Sequence, residues 1–162
     1  MAIIPEVAKD ILSRHWNFTV PVDLDGMAAR AGFEVTYSYD PGMACSGSCE
    51  IVNGRGLITI NGNESRVRQR FTLAHELAHL FLGHANGGKK FRDDPKIFTN
   101  PYAESMQEVD ANRLGAALLM PADAIEHFIV KRGMTSTHDL AKTFEVSRVA
   151  MEIRLKELRW MR

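Results

Sequence analysis

Apolar positions along the chain switch from helical spacing to alternation and back again. From Pro5 to His15 they recur at Val7, Ala8, Ile11 and Leu12, which predicts a helix, with Pro5 suited to its first turn. A second short helix is expected over Pro21 to Arg30, with Leu24, Met27 and Ala28 on one side and Gly32 as its stop. Phe33 to Tyr39 then alternates and is rich in β-formers, so it reads as a strand, closed by the Asp40-Pro41-Gly42 turn. Ser48 to Val52 and Leu57 to Ile60 are two further strands, joined across the hairpin signal Asn53-Gly54-Arg55-Gly56.

From Ser65 the period returns to helical. Long helices are expected over Ser65 to Gly83 and Glu104 to Leu119, separated by a Gly-, Lys-, Asp- and Pro-rich loop from Ala85 to Pro101. Shorter helices follow over Pro121 to Lys131, Thr137 to Phe144 and Ser147 to Trp160. The pattern is that of an α+β protein: mostly helical, with a small three-stranded, mostly antiparallel sheet. No linker divides the 162 residues, so one domain is expected over 1–162, with 134–162 as a C-terminal helical segment packed on it.

Composition narrows the function classes. The formal net charge is zero, so nothing suggests the overall basic field of an avid nucleic-acid binder, though a local basic patch stays open. No apolar run approaches the ~18 residues that span a bilayer, and the start of the chain does not read as a signal peptide. The expected compartment is the cytoplasm. Cys45 and Cys49 lack a second pair that would complete a metal site; they read as two thiols beside a turn, with a disulfide or redox pair as the alternative.

The candidate chemistry lies in the first long helix, at Arg70-Phe71-Thr72-Leu73-Ala74-His75-Glu76-Leu77-Ala78-His79. Residues four apart share a helix face, so His75 and His79 can aim two imidazoles at one point. Zinc suits such ligands, and Glu76, one position along, can take a proton from water at the metal. A catalytic site needs a third protein ligand. His84 lies past Gly83, rotated off that face, and reads as a solvent-facing helix end. On the next helix Glu108 and Asn112 share a face, so Glu108 can bind the metal while Asn112 hydrogen-bonds a ligand. Asp110 and Glu104 read as acids near a helix start. Tyr102, Arg113 and His84 are equal candidates for stabilising an oxyanion.

The His-Glu-x-x-His segment, followed by Glu108-x-x-Ala111-Asn112 and Ala116-Ala117-x-Leu119-Met120-Pro121, resembles the ImmA/IrrE family of zinc metallopeptidases. The likeness extends upstream through Ser46-Gly47 and Ile58-Thr59-Ile60-Asn61. It implies a gluzincin-like endopeptidase with Zn2+ on His75, His79 and Glu108 and with Glu76 as catalytic acid/base. It also implies a protein substrate: a phage-repressor-like helix-turn-helix regulator, or an antitoxin in a toxin–antitoxin-like pair. The family commonly has Glu where this chain has Asp110. The i, i+4 relation to Asn112 favours Glu108 as the ligand.

A rival reading comes from Leu140 to Leu155, which resembles a helix-turn-helix with Ser147 as the N-cap of its second helix. Arg148 and Arg154 would then meet phosphates, in a DNA- or protein-binding regulatory module. Glu145, Glu152 and Glu157 blunt its basic character and favour a helical pair that covers the core. A third reading, a zinc-holding module without catalysis, leaves Glu76 without a role. For an endopeptidase, Leu57 to Ile60 is the candidate sheet edge to which an extended substrate would add.

Overall fold

A computed structural model of the chain describes residues 3–87, 90–92 and 106–162, with side chains described for 3–85 and 106–162. The two N-terminal helices form as the spacing predicts, α1 over Ile4–His15 and α2 over Leu24–Arg30. Asp23 caps α2 by accepting from the Gly26 N–H, and Leu24, Met27 and Ala28 are all buried.

Strands β1 (Glu34–Ser38), β2 (Gly47–Val52) and β3 (Arg55–Asn61) are the three expected. Asn53 and Gly54 both take positive φ, the twist a two-residue hairpin needs between β2 and β3. A short fourth strand, β4 (Lys90–Arg92), pairs antiparallel with β2 inside the segment expected to be loop. The strand order is β1-β3-β2-β4, and β1 runs parallel to β3. The chain therefore passes across β3 between β1 and β2. This places Leu57 to Ile60 in the interior of the sheet, hydrogen-bonded on both sides, so it is not an edge. Alternation marks a strand but not its neighbours, which is why the order was not legible.

Helix α3 (Arg66–Phe81) packs on β2 and β3 with one side and on α4 (Met106–Leu119) with another. Ser65 caps it through the Arg68 N–H. Every residue from Arg70 to Leu80 is buried, so α3 is enclosed all round rather than amphipathic. Helix α1 covers α4. No helix among the described residues is long and apolar enough to cross a membrane.

Helix α5 (Ala122–Glu126) continues as a π-helical stretch over His127–Lys131, and Gly133 at positive φ ends it. The last pair, α6 (Thr137–Phe144) and α7 (Arg148–Glu157), has the expected cap, Ser147 accepting from the Ala150 N–H. Glu145 turns the corner at φ 51°, and Arg66 of α3 binds its carboxylate at 2.8 Å. Arg154, read from the sequence as a phosphate contact, is instead 7% exposed. Its Nε donates to the Met120 carbonyl and its Nη1 to Glu157, which ties α7 to the end of α4. Arg148 pairs with Glu152 along its own helix.

Candidate metal centre

The site begins with how closely α3 and α4 approach. A Cβ added at Gly115 would meet the Ala74 carbonyl oxygen at 3.1 Å and the His75 backbone nitrogen at 3.2 Å. Ala74 and Ala111 are both fully buried. Glycine and alanine thus let two helix backbones nearly touch. One and two turns back along α4 from Gly115, Asn112 and Glu108 fall beside the two histidines.

Three side chains converge there. The Nε2 atoms of His75 and His79 lie 3.0 Å apart. Each is 3.1 Å from a different oxygen of Glu108. In a tetrahedral site with bonds of 2.0–2.1 Å, ligand atoms sit about 3.3 Å apart, so this triangle fits one small divalent ion. Among the described residues these three form the one group of His, Cys, Asp and Glu able to do so, and Asp110 is not part of it. Glu104 and Tyr102 lie outside the described residues.

The far ring nitrogens carry the second half of the fit. His75 Nδ1 is 2.9 Å from Asn112 Oδ1, an oxygen that can only accept. When a metal is held, the His75 Nδ1–H donates to Asn112 and the lone pair of Nε2 faces the centre; with Nε2 protonated instead, it donates to Glu108. His79 Nδ1 is 3.0 Å from His84 Nδ1. With His79 donating and His84 accepting, the Nε2 of His79 is likewise left to coordinate. Hence His84 is neither a ligand nor a solvent-facing end. Gly83 at φ 73° reverses the chain after α3, and the following 3-10 turn (His84–Gly87) places the imidazole against His79.

Electrostatics agree with a cation site. Hydrogen bonds from His75, then His79, hold the Glu108 carboxyl well below the usual carboxylate range, against the opposing effect of burial. Glu108 is therefore an anion, able to bind metal, throughout the neutral range. The two histidine side chains are 1% and 2% exposed, whereas that of Glu108 is 30% exposed. The centre is thus walled by α3 and accessible on its α4 side. Glu76, adjacent to His75 on α3, is buried as well. Arg113 lies on another face of α4, lining a separate cavity beside α1, so it is placed away from the centre. Cys45 is half-buried, and Cys49 is buried in β2 opposite Ile58.

Comparison with known proteins points to a metalloprotease family. The family profile described as the IrrE N-terminal-like domain, of a peptidase family, matches residues 28–156. A 94-residue stretch is 36% identical to the "Radiation response metalloprotease IrrE" of Deinococcus deserti, covering 56% of this chain and 32% of that protein. The protein of the same name from Deinococcus radiodurans is 34% identical over 93 residues, covering 56% of this chain and 28% of that relative. The chain thus spans about a third of the length of these curated relatives.

Proposed function

Because the chain belongs to the IrrE N-terminal-like domain family, we propose that it is a zinc-dependent endopeptidase with Glu76 as its catalytic acid/base and His75, His79 and Glu108 as its metal ligands. The observation that carries this reading is the convergence of two Nε2 atoms and a carboxylate within 3.0–3.1 Å. Two imidazoles and one carboxylate suit zinc among the common divalent ions, and three protein ligands leave a position open.

When bound, zinc supplies a Lewis acid and lowers the pKa of water toward about 7. The protein's own groups do the rest. Asn112 and His84 fix the orientation and tautomer of the two imidazoles. Glu76 accepts a proton from the attacking water as it adds to the scissile carbonyl. The same carboxyl then returns that proton to the departing amine. Glu76 is buried on α3 at the position next to His75, one of the proposed ligands.

The substrate in this reading is a cytoplasmic protein of the helix-turn-helix repressor or antitoxin type. The family resemblance supports that choice, and the Deinococcus relatives are named as metalloproteases. The test is to incubate the purified chain with a repressor encoded beside it. Zinc-loaded wild type should cut the repressor at one site. Glu76→Gln should keep its zinc and leave the repressor whole. Cleavage by that variant at the wild-type rate would remove Glu76 from the mechanism.

A further inference from the structure

On the side of α4 turned away from the metal centre, a cavity of about 440 Å³ opens between α1, α4, the start of α5 and α7. That volume lies within the range of small-molecule sites. Its inner wall is aliphatic, built from Ile4, Ala8 and Leu12 of α1, Ala117 of α4 and Leu158 after α7. Trp16 closes one side, its indole N–H donating to the Thr19 carbonyl, which leaves the ring's apolar body toward the cavity lining.

Two features of the cavity point to an occupant. The first is charge. Three cations line it, Lys9, Arg113 and Arg154, against two anions, Asp123 and Glu157, and Glu157 is already held by Arg154 at 2.8 Å. Arg154 is a buried guanidinium with five N–H groups. Among the described residues two acceptors meet it, the Met120 carbonyl and Glu157, so donor capacity remains at the cavity wall. The second is Phe18. It lines the cavity, is 75% exposed, and takes φ 63°, a region that disfavours side chains larger than glycine. Its ring lies 4.9 Å from that of Trp16, so the exposed Phe18 extends the cavity wall outward from Trp16.

We propose that this cavity is a binding site for an amphipathic monocarboxylate, its apolar body against the α1 and α4 wall and its carboxylate on Arg113, Lys9 and the Arg154 guanidinium. The site is distinct from the metal centre and does not depend on peptidase activity. Arg–carboxylate pairing supplies orientation, and the aliphatic wall supplies most of the affinity.

The chain has two tryptophans, Trp16 and Trp160, so Trp160→Phe leaves a single reporter inside the cavity. Decanoate titrated into this variant below its micelle concentration should shift Trp16 emission saturably. Decanol should bind at least about tenfold more weakly, as should decanoate to the exposed-residue variants Arg113→Glu and Lys9→Glu. Circular dichroism would confirm that these variants stay folded. An unsaturable response, equal binding of decanol, or charge reversals without effect would each overturn the proposal. Metal content and peptidase activity should be the same in Trp160→Phe as in wild type, so failure here is separable from failure of the peptidase reading.

Discussion

His75 and His79 each present one nitrogen to a shared point and spend the other on a neighbour. Asn112 and His84 are those neighbours, and removing them should loosen the metal rather than abolish it. Asn112→Ala is expected to weaken zinc affinity about 10–100-fold, measured by competition with a chromophoric chelator. His84→Ala should fall toward the lower end, because solvent can replace a partner at a half-buried position. Unchanged affinity in both variants would show that the second nitrogens do not position the rings. At this scale the sequence was legible for residues on regular helices. The i, i+4 spacing to Asn112 favoured Glu108 over Asp110, and Glu108 and Asn112 do lie beside the two histidines. His84 was misread as solvent-facing because its position depends on the reversal at Gly83, and helical periodicity says nothing past a helix end.

The elements meet at a contact that a single methyl group would disturb. Gly115 sits against the backbone of Ala74 and His75, so a side chain there must push α4 away from α3. Gly115→Ala gains up to about 1 kcal/mol of helix propensity. The clash is with backbone rather than a movable side chain, and that gain is expected to be outweighed. Gly115→Val should cost more, on the order of 2–3 kcal/mol, with weakened zinc binding because Glu108 rides on the displaced helix. Urea denaturation and metal titration check both effects. A Gly115→Val protein as stable and as metal-avid as wild type would mean that the helices can separate freely. Element types were readable from hydrophobic period, caps and turn residues, including the Asn53-Gly54 hairpin and the Ser147 cap. Strand order was not, since the parallel pairing of β1 with β3 and the arrival of β4 beside β2 are set by long-range packing.

Across the whole molecule, α3 is the axis on which sheet, α4 and the C-terminal pair converge. Helices α6 and α7 form as two capped helices joined by a turn at Glu145. The role of Arg154 was not legible, because a buried arginine and a phosphate-binding arginine look the same in sequence. Arg154→Ala removes the tie from α7 to the Met120 carbonyl and the pairing with Glu157 within α7, and should destabilise the chain by about 1–3 kcal/mol without changing metal affinity. Metal itself should report on global stability, since a ligand that binds only the folded chain adds about 4 kcal/mol at a thousand times its Kd. Saturating zinc is thus expected to raise Tm by on the order of 10 °C over chelator-treated protein. His79→Ala should lose most of that difference.

The most direct measurement is anomalous X-ray scattering at the zinc edge from crystals of the purified chain. A single strong peak is expected about 2.0–2.1 Å from the Nε2 atoms of His75 and His79 and within bonding reach of Glu108, and it should vanish in His79→Ala. A zinc-supplemented crystal with no peak between these three side chains, or with zinc bound elsewhere while they stay empty, would contradict the metal centre and the chemistry proposed for it.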